Sequence, residues 1–368
     1  MHAARLERVR AAMAVQGVDV LLLSVGADLP WLIGYEAMPL ERLTMLVLPR
    51  DGDATLVVPR LEAPRVAERG DLFEVRPWGE TEDPLQLVAD LTGRARVAAI
   101  GDRTWAQFLV GLGERLPKTT FRRGSEVTGP LRAVKDQAEV EALARAAAAV
   151  DRIAIELQTG AIPLAGRTEA QVSADLSRRI LAEGHHRVNF AIVAAGDHAA
   201  SPHHEADDRV IGAGEIVLCD FGGTMLADGG AGYCSDITRC VHLGEPPAEL
   251  SELYDVLQTA QAAGVAAATV GRPAEEVDAA TRRVIDDAGY GEWFIHRTGH
   301  GIGVEEHEDP YIVTGNARPL EAGNAFSIEP GIYVPGRWGA RLEDIVVATH
   351  AGPRSLNQVD HGLVAVDA

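Results

Sequence analysis

Residues 201–343 hold acids where a fold normally avoids them. Asp220 follows the apolar run 215–219 and precedes Phe221-Gly222-Gly223. A carboxylate at the end of a buried strand is costly unless it is paired or bound to a metal. Asp236 lies in Cys234-Ser235-Asp236-Ile237-Thr238-Arg239. Two strands joined through the glycine-rich turn at 227–232 would bring both acids together as a hairpin. Taken alone, each Asp also reads as a turn former or a salt-bridge partner.

The stretch His296-Arg297-Thr298-Gly299-His300-Gly301-Ile302-Gly303-Val304-Glu305-Glu306-His307 places three histidines within twelve positions. Histidines set among glycines are hard to read as core residues, and glycine lets a backbone approach a ligand closely. Glu329 follows Phe326-Ser327-Ile328. The period of two puts Ser327 and Glu329 on one face of a strand and Phe326 and Ile328 on the other. Arg341 and Glu343 share a face by the same period, so Arg341 alone could be the partner that Glu343 needs. The set amounts to two Asp, two Glu and at least one His, which suits borderline-hard divalent ions such as Mn, Co or Zn. Four carboxylates exceed the need of one ion, so two ions sharing carboxylates are expected. Ions roughly 3.5–4 Å apart hold a hydroxide between them and polarise a carbonyl. That is hydrolytic chemistry.

Helices and strands must position these groups. Helical patterns cover 3–15, 85–91 and 105–116, with strands at 18–25 and 97–100 and a hairpin from 44–48 to 54–58. Interleaved elements predict an α/β first domain. Gly129-Pro130-Leu131 breaks the pattern. Helices are expected at 136–157 and 168–183, strands near 190–195 and 215–240, helices at 247–269 and 273–288, and strands near 325–347. Elements grouped in this way predict an α+β second domain. The boundary is placed at 133, giving domains 1–133 and 134–368.

The 368 residues carry 34 Lys+Arg against 54 Asp+Glu, a formal net charge of -20. That excess argues against nucleic acid as a partner. No stretch approaches the roughly 18 apolar residues of a membrane span. Cys219, Cys234 and Cys240 form no C-x-x-C pair and read as free thiols, which points to the cytoplasm. There is no P-loop, no G-x-S-x-G elbow and no H-E-x-x-H pair, and His204-Glu205 extends to no such motif. The glycines at 299–303 do not make a dinucleotide fingerprint.

The ordered set resembles the pita-bread metallopeptidases that cleave Xaa-Pro bonds, prolidase and aminopeptidase P. The resemblance covers the whole chain: a creatinase-like N-terminal domain to residue 133, then the pita-bread catalytic domain. It implies that Asp220, Asp236, His300, Glu329 and Glu343 are metal ligands for two divalent ions, foremost Mn, with Co or Zn also suited. Asp236 and Glu343 would bridge both ions. Asp220 would bind one, and His300 with Glu329 the other. Glu329 would also be general base. His203, seventeen residues before Asp220, matches a substrate-site histidine. His307, seven after His300, matches a second, suited to steadying the oxyanion. His296 and Arg341 would orient substrate or ligands, and Tyr333 would add a hydrogen bond. The implied substrates are small peptides with proline at the second position, and the implied assembly is a homodimer.

Two departures stand out. The Asp220–Asp236 spacing of sixteen is longer than in many relatives. Where prolidases often place an Arg to bind a dipeptide's carboxylate, this chain has Tyr311. Arg297, Arg318 and Arg42 are the candidates to replace it. Dipeptidase is expected ahead of aminopeptidase P. A methionine aminopeptidase normally lacks the N-terminal domain. A metal-free creatinase-like enzyme or a non-catalytic peptide-binding module would have lost ligands.

Overall fold

The computed structural model describes residues 1–67 and 70–367. They divide into two compact units: Met1–Arg132 together with Ala227–Gly232, and Ala133–Leu226 with the remainder from Tyr233. The first unit is therefore not one continuous stretch, because the hairpin loop at 227–232 groups with it.

The first unit runs α1 (His2–Gln16), β1 (Val20–Leu23), α2 (Asp28–Ile33), β2 (Met45–Pro49), β3 (Thr55–Pro59), β4 (Glu74–Trp78), α3 (Pro84–Thr92), β5 (Val97–Ile100), α4 (Ala106–Arg115), β6 (Thr120–Arg123) and α5 (Ser125–Ala133). Its six strands order as β4-β3-β2-β1-β5-β6. The β1–β2 and β2–β3 pairs are antiparallel and the others parallel, so the sheet is mixed. β1 and β2 are apolar almost throughout because both faces are covered. Gly129-Pro130 does not break a helix as the sequence led us to expect. Pro130 lies inside α5.

The second unit runs α6 (Gln137–Gln158), α7 (Glu169–Ala182), β7 (Arg187–Ala195), β8 (Ile216–Leu226), β9 (Gly232–Cys234), β10 (Ile237–Leu243), α8 (Ala248–Ala267) and α9 (Ala274–Asp287). It continues with β11 (Gly299–Gly301), β12 (Glu308–Ile312), β13 (Ala325–Ile328), β14 (Gly331–Val334), β15 (Trp338–Arg341), β16 (Asp344–Val347), β17 (Arg354–Ser355) and β18 (Val364–Val366). α6 and α7 open on capping boxes, Asp136 with Glu139 and Thr168 with Gln171. One sheet orders β18-β10-β8-β7 with β9 beside β8, a second orders β12-β11-β13-β16-β17, and β14 and β15 form a two-stranded ribbon.

Side-chain alternation shows how these layers enclose a site. On β8, Val217, Cys219 and Phe221 join the core beneath α6 and α7, while Ile216 and Leu218 face the opposite core with α8, β14 and β15. On β13, Phe326 and Ile328 join the core with α9. Asp220 thus lies on the face of β8 opposite α6 and α7, and Ser327 on the face of β13 opposite Phe326 and Ile328. The two strands expected within 215–240 are present as β8 and β10, with the short β9 added between them. Asp220 sits at the middle of β8, not at a strand end. Among the described residues no helix is long and apolar enough to cross a membrane.

Candidate metal centre

All ten residues singled out in the sequence fall in the second unit. Nine of them line one cavity of about 570 Å³: His203, Asp220, Asp236, His296, His300, His307, Glu329, Arg341 and Glu343. The tenth, Tyr333, lies behind the wall and is bonded to two of the nine.

β8 and β10 pair antiparallel with Asp220 opposite Thr238, and Asp236 just precedes β10. Both acids are buried. β11 carries His300 between Gly299 and Gly301. These glycines serve strand packing rather than ligand approach, which corrects the expectation. A Cβ on Gly299 would lie 1.8 Å from the Ser327 carbonyl oxygen, and one on Gly301 would lie 2.4 Å from the Asp309 carbonyl. Ser327 Oγ accepts the His300 backbone N–H at 3.0 Å and donates to Glu329 Oε1 at 2.9 Å, so the period-of-two reading of β13 holds.

Arg341 and Glu343 do not share a strand. Arg341 ends β15, while Glu343 stands before β16, bridged to Thr238. Sequence reasoning missed what fixes that turn. The wholly buried Arg239 binds Asp344 at 2.7 Å and donates to the Glu343 carbonyl at 2.6 Å. Arg341 is the hub of the cavity wall. It donates to Asp220 Oδ2 at 2.5 Å, to the Tyr333 hydroxyl at 2.7 Å and to Thr238 Oγ1 at 3.2 Å. Thr238 Oγ1 donates onward to Glu343 Oε2 at 2.8 Å. The Tyr333 hydroxyl then donates to His296 Nε2 at 2.9 Å, and His296 Nδ1–H donates to the Arg297 carbonyl at 2.7 Å.

The donor set fits divalent cations. Asp220 Oδ1 and Glu343 Oε1 are buried without a hydrogen-bond partner among the described residues. Oxygens left in that state cost free energy unless something else satisfies them. His300 Nδ1–H donates to the Gly301 carbonyl at 3.2 Å, which turns a bare Nε2 toward Glu329 Oε1 at 3.2 Å and Asp236 Oδ2 at 3.7 Å. Burial, together with neighbouring carboxylates, pushes Asp236 and Glu343 well above the ordinary carboxylate range, and burial also raises Glu329. Burial holds His300 and His307 down at about 4, and their rings sit 3.9 Å apart. Asp236, His300 and Glu343 can direct one ligand atom each at a common ion.

Residues 140–350 match the model of metallopeptidase family M24, and residues 5–134 match the creatinase/prolidase N-terminal domain. The chain belongs to family M24. It is similar over its whole length to a probable dipeptidase PepE of Mycobacterium tuberculosis, at 45% identity and across 97% of that protein. Among solved structures it resembles dipeptidase PepE from Mycobacterium ulcerans, at 47% identity with a TM-score of 0.92, covering 100% of this chain and 98% of that one. It also resembles a prolidase from Thermococcus sibiricus, at 33% identity with a TM-score of 0.93, covering 100% of this chain and 99% of that one. This M24 chain is therefore a metallopeptidase with a creatinase-type N-terminal domain and a pita-bread catalytic domain, as its motifs led us to expect.

The candidate cations for a substrate carboxylate separate clearly. Arg297 lines the cavity, with its guanidinium 4.6 Å over the Tyr311 ring and no carboxylate partner among the described residues. Arg318 is exposed and 4.0 Å from Asp309. Arg42 belongs to the first unit, where it meets Glu41 and Glu80.

Proposed function

We propose that this M24 enzyme hydrolyses Xaa-Pro dipeptides with two divalent ions held by Asp220, Asp236, His300, Glu329 and Glu343. The observation that carries the reading is the convergence of these five groups on one cavity, two of them with buried oxygens that lack a hydrogen-bond partner among the described residues. Asp236 and Glu343, with His300, would be the core of the set that holds the ions. The ions would acidify a water and polarise the scissile carbonyl. Mn suits the oxygen-rich donors best, ahead of Co or Zn.

The chain's own residues do the rest. Glu329, raised by burial and steadied by Ser327, takes the proton of the attacking water on its carboxylate. Neutral His307 donates an N–H to the developing oxyanion, and His203, which lines the same cavity, holds the substrate. His296 and Arg341, joined through Tyr333, keep the wall fixed. Arg297 replaces the arginine missing at Tyr311 and binds the free carboxylate of the dipeptide.

The reading extends to the protein's setting. Its three cysteines are buried and free, which suits a reducing cytoplasm. The resemblance makes a homodimer the expected assembly. A comparison of Ala-Pro with Ala-Pro-Ala hydrolysis in Mn²⁺ tests the substrate. Faster cleavage of Ala-Pro is expected. Cleavage of the tripeptide alone would transfer the reading to aminopeptidase P.

A further inference from the structure

A second convergence of metal-ligating side chains lies outside the cavity and shares no residue with it. Glu169 is the first residue of α7, and its side chain is wholly buried. Its Oε1 accepts the Ala195 N–H at 2.8 Å, which fixes the carboxylate. His204 Nε2 stands 2.7 Å from Oε2, and His198 Nδ1 stands 3.1 Å from the same oxygen. The two imidazole rings are 4.3 Å apart. Asp207 brings a second carboxylate onto Glu169. One ligand atom from each of the four residues falls within 4.8 Å of all the others.

That arrangement is unusual for a hydrogen-bond network alone. Two carboxylates face each other, Glu169 wholly buried and Asp207 exposed, and among the described residues no arginine or lysine forms an ion pair with either. The neighbouring Arg209 gives both guanidinium nitrogens to Glu215, at 2.5 and 3.1 Å. Four ligand atoms about 2.0–2.1 Å from a tetrahedral ion lie roughly 3.3 Å from one another, the scale seen here. Two imidazoles and two carboxylates suit a borderline divalent transition ion.

We propose that Glu169, His198, His204 and Asp207 form a mononuclear site for a Zn²⁺-class ion, separate from the cavity. The ion would tie the segment 196–207 to α7. That segment carries His203, which lines the cavity next to His204 in sequence. The site is thus a structural clamp for a substrate-facing loop.

The test uses the full chain, stripped with chelator and reloaded with micromolar Co²⁺. Bound metal is counted after gel filtration, and the visible spectrum reports tetrahedral cobalt. Asp236→Asn combined with Glu343→Gln disables the cavity cluster. One tetrahedral ion per chain is expected to remain in that variant, and to disappear when His198→Ala and His204→Ala are added. If the cavity variant holds no ion, or takes one up only at millimolar Co²⁺, the clamp is wrong. Equal metal content with and without His198 and His204 overturns it as well. Because the first measurement needs no change at the clamp itself, misfolding of the histidine variants leaves it decisive. It also does not depend on how many ions the cavity takes.

Discussion

Arg341 and Asp220 meet at 2.5 Å across the inner space of the catalytic domain, one at the end of β15 and the other at the middle of β8. Both side chains are buried, and the second Asp220 oxygen has no partner among the described residues. The guanidinium therefore offsets one acid of a cluster that holds four.

Removing that cation leaves a buried carboxylate uncompensated, which costs about 3–5 kcal/mol. Arg341→Met is expected to lower the denaturation midpoint of the chelated protein strongly. Added Mn²⁺ should recover much of the loss, since bound cations supply the missing positive charge. Paired urea titrations with and without Mn²⁺ check this. Equal losses in both conditions would contradict it.

The pH dependence of the metal-free protein follows from Asp236 and Glu343. Their pKa values are raised in the folded state above 3.8 and 4.5. Between those ordinary values and the raised ones, the folded chain holds more protons than the unfolded chain. Their contribution to the stability of the chelated protein therefore falls as pH rises from about 4. Below that range both states are protonated and the contribution is flat. His300 and His307, whose values burial lowers to about 4, contribute in the opposite direction. The part of the two acids is therefore read as the difference between the parent and Asp236→Asn/Glu343→Gln. Saturating Mn²⁺ should cancel the decline, because it requires the ionised acids. Melting temperatures across pH 4–8, with chelator or Mn²⁺, decide it.

Ser327 contacts both the His300 backbone and the Glu329 carboxylate through one hydroxyl. Ser327→Ala removes the orienting bond to Glu329 while sparing every proposed ligand. A fall in kcat of about 10–100-fold is expected. The melting temperature should fall modestly, because the buried His300 N–H loses its acceptor as well. Unchanged kcat would remove Ser327 from the positioning set.

Arg297 rests over Tyr311 at the cavity wall without a carboxylate partner among the described residues. Arg297→Ala should raise KM for Ala-Pro about 10–100-fold, the range of one charged hydrogen-bonding contact. A substrate with its carboxylate blocked as an amide should be nearly unaffected. Equal penalties on both substrates would assign Arg297 a structural part only.

Gly299 has no room for a side chain, with the Ser327 carbonyl 1.8 Å from where a Cβ would stand. Gly299→Ala must push β11 away from β13 or fail to fold. A loss of about 1–3 kcal/mol or more is expected, with loss of metal binding because His300 is the next residue. Thermal unfolding and metal content of the purified variant test both parts.

The amino-acid sequence by itself determined the longer helices, though not α2 or α5, the order of the chemistry-bearing residues and the family they resemble. Amphipathic periods and capping residues are local, so α6 and α7 were legible to within a residue or so of their ends. Asp220, Asp236, His300, Glu329 and Glu343 were legible because acids and histidines beside apolar runs and glycines are costly without a partner. The resemblance already picked Glu343 over Asp344 and His203 over His204; only tertiary structure decided where the other member of each pair goes. Glu343 turns into the cavity, while Asp344 turns away to the buried Arg239. His203 lines the cavity, while His204 turns away to the buried Glu169. Adjacent residues are nearly equivalent in composition and in spacing. They part only when strand pairing and packing assign each side chain a face, and the partners that satisfy them lie 35 to 105 positions away in the chain.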